Sequence, residues 1–219
     1  MKKKKVSKSK YVLEINNLSK AFGKNQVLCG VNIRIPHGTV MGLMGENGAG
    51  KSTLMKCLFG MYAKDTGTFK LDGKEIDFKS SKEALENGVA MVHQELNQCL
   101  NRTIQDNLFL GRYLTNAGVI NEKAMYKRSL ELFSRLDMKF NPKMMIRDLS
   151  VSQRQMVEIA RAISYNAKII VLDEPTSSLS ERETRKLFEI INNLKKTGVS
   201  FVFISHKMNE IFELCDYIT

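Results

Sequence analysis

Short apolar runs bounded by Gly, Asn or Pro open the body of the chain. YVLEI from Tyr11, VLCGVNIRI from Val27 and TVMGLM from Thr39 read as β-strands. VAMVHQ, KIIVLD and SFVFIS continue the series further on, with helical segments between them. Strands alternating with helices predict an α/β layer with parallel strands at its centre, and the early hairpin-like runs predict an antiparallel β portion. Between VAMVHQ and KIIVLD, over residues 95–166, the period changes. Leu130, Phe133 and Leu136 recur at helical spacing, and Met156, Ile159, Ala160 and Ile163 do so again. That stretch is expected to form a mainly helical subdomain inserted into the α/β core. No internal repeat is visible.

Length and charge bound the picture without deciding it. The 219 residues suit one domain with a substantial core. The formal net charge of +11 suggests an anionic polymer as partner, but six lysines lie in MKKKKVSKSK, and without them the excess falls to +5. Residues 1–10 are expected to be a disordered basic tail, at most weakly drawn to anionic lipid headgroups. No apolar stretch follows the lysines as a secretory signal requires, and no run approaches the roughly 20 apolar residues that span a bilayer. Cys29, Cys57, Cys99 and Cys215 form no paired ligand motif, so packed or idle thiols in a reducing compartment are expected rather than a zinc site.

The chemistry begins at GENGAGKS, Gly45 to Ser52, which fits G-x-x-x-x-G-K-[ST] with a strand before it and a helix after it. Glycines let backbone amides close on phosphate oxygens, and the helix start contributes its positive end. Gly45, Glu46, Asn47, Gly48, Ala49, Gly50, Lys51, Ser52 and the following Thr53 are the expected cradle for ATP. In it Lys51 reaches the β- and γ-phosphates and Ser52 ligates Mg²⁺. Asp173 and Glu174 stand at the end of the apolar run KIIVLD. Acids there can be a helix cap or a turn; beside a phosphate cradle they read as a magnesium ligand, Asp173, and a general base, Glu174.

LSVSQRQMVEIARA, Leu149 to Ala162, resembles the signature helix of ATP-binding-cassette ATPases, and it precedes the strand carrying Asp173 as in that family. Gln94 in VHQE is similar to the family's Q-loop glutamine, His206 in FISHKMNEIF to its switch histidine, and SSLS, Ser177 to Ser180, to its D-loop. Phe22 in SKAFG occupies the place of the aromatic residue that stacks on adenine. Alone, each has a plainer reading. Ser150 with Gln153, and Ser180 with Glu183, are capping boxes; His206 reads as a core histidine, Gln94 as a loop residue and Phe22 as packing. Their shared order from Tyr11 to Thr219 favours the resemblance.

The resemblance implies a P-loop cassette fold, ATP with Mg²⁺, and catalytic roles for Glu174, His206 and Gln94. Gln94 joins Ser52 and Asp173 about the metal, and Ser150 and Gln153 contact nucleotide held by a second cassette. It also implies a transmembrane sugar permease as partner, a sugar-binding protein acting indirectly, and a place on the cytoplasmic face of the inner membrane. Two departures stand out: Val151 and Ser152 replace the signature glycines, and Ser180 replaces the usual D-loop aspartate. The pattern otherwise resembles the first cassette of the carbohydrate-import class, with galactose and methyl-galactosides as the implied cargo. Ribose, xylose and nucleoside importers are close alternatives. On that pattern the strand beginning at Tyr217 is expected to be cut short, leaving the cassette incomplete at its C-terminus. A soluble cassette acting on nucleic acid or ribosomes, and a nucleotide-binding but idle fragment, are the other classes considered; no specific nucleic acid is expected.

Overall fold

The computed structural model describes residues 9–46 and 48–219, so most of the lysine-rich tail, and Asn47, lie outside the described residues. The chain opens with two long strands, β1 (Tyr11–Phe22) and β2 (Asn25–Pro36), then a buried strand β3 (Val40–Leu43) and helix α1 (Lys51–Leu58). A hairpin, β4 (Thr66–Leu71) and β5 (Lys74–Ile76), leads through α2 (Ser81–Glu86) to β6 (Val89–Val92). The middle of the chain holds α3 (Ile104–Leu108), β7 (Thr115–Asn116), β8 (Val119–Ile120), α4 (Glu122–Arg135), a 3₁₀ turn at Ile146–Asp148 and α5 (Val151–Ser164). It closes with β9 (Ile169–Asp173), α6 (Glu181–Lys196), β10 (Ser200–Ile204), α7 (Met208–Leu214) and β11 (Tyr217–Ile218).

Two sheets organise these elements. Antiparallel pairing joins the first in the order β2-β1-β4-β5, and parallel pairing joins the second in the order β11-β3-β10-β9-β6. Every residue of β10 is buried, as are the first four of β9, the pattern of a parallel sheet covered on both faces. The period of two then divides the apolar residues between two cores. Ile170, Leu172, Phe201 and Phe203 face the helical layer with α5 and α6, while Ile169, Val171, Val202 and Ile204 face α1 and the antiparallel sheet. Each such side chain contributes about 1.5–3 kcal/mol through burial.

The middle segment differs from its sequence reading in two respects. The small hairpin β7–β8 interrupts the helices, and its residues are exposed, so it carries no alternating pattern. On α4 the buried stripe is Met125, Ser129, Leu132 and Phe133; Leu130 is 43% exposed because it falls just outside that stripe. On α5, by contrast, Met156, Ile159, Ala160 and Ile163 are all buried. Among the described residues no helix is long and apolar enough to cross a membrane. The four cysteines are unpaired, and burial raises the Cys57 thiol above its ordinary value, which keeps it inert.

Candidate functional site

Four loops leave one edge of the parallel sheet. β10 runs between β3 and β9, and its last residue, Ile204, pairs with both Leu43 and Asp173. The cradle therefore follows Leu43 on one side, Glu174 follows Asp173 on the other, and Ser205 and His206 emerge between them. Val92 of β6 pairs with Leu172, so exposed Gln94 follows its strand at the same edge. In open parallel sheets that carboxyl edge is where ligands bind.

The cradle is built to admit an anion. Gly45, Glu46, Gly48, Ala49 and Ser52 are exposed, Thr53 is half-buried, and Gly50 is buried at the start of α1. Gly50 has φ 94°, and a Cβ there would stand 2.9 Å from Leu28 Cδ2 and 3.1 Å from the Val27 carbonyl oxygen. No other residue adopts that conformation in that space without strain. Helix α1 has no side-chain cap, so its first amides and its positive end are left for a ligand. The Lys51 ammonium donates to the carbonyls of Gly45 at 2.6 Å and Glu46 at 3.0 Å, which holds its charge over the cradle. Uncapped amides, an open rim and a lysine suit a chain of phosphates.

Asp173 and Glu174 complete the opposite wall. Burial foremost, then the neighbouring Glu174, raises the Asp173 carboxyl, while His93 and Lys51 lower it. Lys51 and Asp173 are thus electrostatic neighbours across the mouth of the cradle. Among the described residues no cluster of three or more His, Cys, Asp or Glu could hold a metal alone. The donors that fit are the Asp173 carboxylate and the Ser52 hydroxyl, a hard oxygen set that suits Mg²⁺ when phosphates fill the rest of its shell. Glu174 adopts a left-handed conformation, φ 46°, and its amide donates to the Ile204 carbonyl at 2.9 Å. Its Oε1 lies 3.2 Å from Nδ1 of His206, whose side chain is 65% exposed and so is no core histidine.

Phe22, at the end of β1, is 44% exposed and meets Tyr62 edge-on, with ring centroids 5.2 Å apart. The Phe22 ring is therefore partly open to solvent rather than fully packed. Ser150 and Gln153 occupy a different place. They form the capping box of α5: Gln153 N donates to Ser150 Oγ at 3.2 Å and Ser150 N donates to Gln153 Oε1 at 2.9 Å. Ser150 Oγ lies 2.9 Å from Ser152 Oγ, and Ser152 donates in turn to Glu183 at the start of α6. Glu183 also accepts from Ser180 N at 2.9 Å and Ser180 Oγ at 2.7 Å, and these donors, Ser152 first, pull its carboxyl down to about 2. The signature serine, Ser150, is thus engaged in capping α5, and it is its neighbour Ser152 that reaches α6.

Sequence reasoning passed over His93. It is an electrostatic neighbour of both Asp173 and Glu158, and with Glu95, Glu158 and Arg161 it lines a cavity of about 310 Å³ between β6 and α5. Its one signal was adjacency to Gln94, just past a buried strand end. Burial raises the Glu158 carboxyl in that cavity, with Arg161 opposing.

Comparison with known proteins places this geometry. Residues 28–177 match the family described as ABC transporter. The galactose/methyl galactoside import ATP-binding protein MglA of Treponema denticola is 66% identical over 96% of this chain. Its namesake in Escherichia coli K12 is 53% identical over 97%. The chain spans 42% of the length of each of these relatives. Among solved structures, an ATP-binding cassette in its ADP conformation superposes with a TM-score of 0.85 at 26% identity, covering 96% of this chain and 87% of that one. A nucleotide-free cassette gives a TM-score of 0.82 at 26% identity, covering 95% and 86%. With a family match across most of the body and a cassette fold carrying the phosphate cradle, the chain belongs to the ABC transporter family.

Proposed function

We propose that this chain is the ATP-hydrolysing cassette of a bacterial importer for galactose and methyl-galactosides, working on the cytoplasmic face of the inner membrane beneath a sugar permease. The observation that carries the reading is the convergence of the cradle, Glu174 and His206 at the ends of β3, β9 and β10. The import names of the relatives support the cargo.

The residues divide the work by chemistry. Lys51 exchanges the carbonyls of Gly45 and Glu46 for the β- and γ-phosphates, and the α1 amides bind the remaining oxygens. Phe22 offers its open face to adenine. Asp173 and Ser52, with Gln94 at the same edge, would hold magnesium, which would supply charge neutralisation on the phosphates. Glu174 accepts the proton of the attacking water, and His206 orients the Glu174 carboxylate through its Nδ1 contact. Ser150 and Gln153, paired in the capping box at the start of α5, serve nucleotide on a second cassette, so a full site needs a cassette pair. The cavity beside His93 and Glu158 is a suitable seat for a permease segment that senses Gln94. A sugar-binding protein delivers the cargo to the permease and has no contact with this chain.

The test is uptake of labelled sugars by cells that depend on this chain for the importer's ATPase. Galactose and methyl-galactoside uptake should vanish with Lys51→Ala, with ribose and xylose uptake unaffected by the chain. Ribose or xylose uptake that follows the chain, with galactose indifferent, would replace the cargo assignment.

A further inference from the structure

We propose that Glu210 is a positioning residue that stitches the loop after Glu174 to the loop carrying His206. The inference rests on the reading of Glu174 as general base. Glu210 is a charged residue on the short helix α7, yet is only 8% exposed. Its Oε2 accepts from Thr176 Oγ1 at 2.6 Å and from Ser205 Oγ at 3.1 Å, and Lys207 Nζ is 3.0 Å from Oε1. Thr176 and Ser205 are themselves buried, at 2% and 4% exposed. Lys207 tightens the arrangement, donating through Nζ to the Thr176 carbonyl at 3.3 Å and through its amide to Ser205 Oγ at 3.1 Å.

The geometry gives this cluster a task. Thr176 is two residues after Glu174, and Ser205 immediately precedes His206. The left-handed Glu174 persists only where its surroundings over-determine the backbone. The Glu174 amide bond to Ile204 does so on one side, and the carboxylate shared by Thr176 and Ser205 does so on the other. A buried carboxylate with both oxygens engaged is a stiff link, because releasing it strands a charge away from water. Glu210 touches neither substrate nor the reacting atoms; it sets the register between Glu174 and His206.

The test uses the chain in its ATPase-active assembly. Glu210→Ala is expected to lower hydrolysis by about tenfold or more while ATP affinity stays within about twofold. In a His206→Ala background the same substitution should cost less than about threefold, because the contact it positions is already gone. Equal losses in both backgrounds, or a parallel loss of ATP affinity, would overturn the proposal. If Glu210→Ala does not fold, Thr176→Val and Ser205→Ala remove one donor each and are read in the same cycle. Hydrogen exchange at the Glu174 amide reports the stitch without turnover: it should speed up in the Glu210 or donor variants, and unchanged protection refutes the link. Hydrolysis that survives Glu174→Gln would sink the base assignment, and the exchange result would still judge the stitch.

Discussion

His206 Nδ1 stands 3.2 Å from Glu174 Oε1 although 32 residues separate the two in sequence. Strand pairing produces the meeting, since Ile204 and Asp173 are partners in adjacent parallel strands and Glu174 and His206 follow their strands by one and two residues. The contact occupies one carboxylate oxygen and leaves the other for water.

Replacing that carboxylate by an amide of the same shape removes the proton acceptor alone. Glu174→Gln is therefore expected to retain ATP binding by titration calorimetry while phosphate release falls by about 10²- to 10⁴-fold. Undiminished release from a preparation free of other ATPases would remove Glu174 from its role.

Asp173 is expected to make nucleotide binding pH-dependent. Burial and then Glu174 raise its carboxyl, so the folded chain keeps this proton to higher pH than the unfolded chain. With the folded value raised, Asp173 favours the folded state at low pH and that contribution is lost as pH rises through the raised value. A divalent cation displaces the proton, so affinity for Mg-ATP should increase with pH through the same window. Calorimetry in buffers of different ionisation enthalpy should detect proton release with Mg-ATP, and Asp173→Asn should abolish it. Identical release from the Asn variant would place the titrating group elsewhere.

Ser152 sets the acidity of Glu183. The Glu183 carboxyl sits at about 2, with the Ser152 hydroxyl the leading cause and Ser180 next. Because the folded value is depressed, this contribution to stability is present above the unfolded value and disappears as pH falls through about 2. Ser152→Ala should move the carboxyl upward in a carbon-13 titration, toward the ordinary glutamate range, while Ser180 continues to hold it. A titration unchanged from about 2 would assign the whole depression to Ser180.

These residues differ in how far they can be read from sequence. The cradle is local: glycines, lysine and helix start are adjacent in the chain, and their pattern carries its own geometry. β9 and β10 are legible for a similar reason, since unbroken buried runs admit few alternatives. Ser152 and Glu183, 31 residues apart, meet only because α5 and α6 start side by side, which no local period encodes. Glu210 reads in sequence as a solvated charge on an amphipathic helix, and its burial depends on where β9 and β10 place Thr176 and Ser205. The hairpin β7–β8 escapes pattern reading because it buries nothing. Sequence shows what each segment wants to bury; tertiary register decides which polar groups are carried inside with it.

Gly50 ties cradle shape to stability. An alanine there keeps φ 94° only at a cost of about 1–2 kcal/mol, before its Cβ meets Leu28 and Val27. Gly50→Ala should lower the melting temperature by several degrees and weaken ATP binding, because relief of the strain moves the first amides of α1. A variant with wild-type melting and wild-type affinity would show that the cradle tolerates the side chain.

Phe22 allows base and phosphate recognition to be separated. Its exposed ring meets the edge of Tyr62 and the Lys20 ammonium, 5.3 Å from the centroid, and belongs to neither apolar core, so truncation exposes no core. Phe22→Ala should leave thermal stability within about 0.5 kcal/mol of the parent. A stacked base contributes about 1–3 kcal/mol, so ATP affinity should fall by about five- to a hundredfold. Inorganic triphosphate carries no base and should bind the parent and the variant equally, whereas Phe22→Tyr should restore ATP affinity by restoring the ring. Equal weakening toward ATP and triphosphate would mean that Phe22 acts through the backbone near the cradle rather than by stacking.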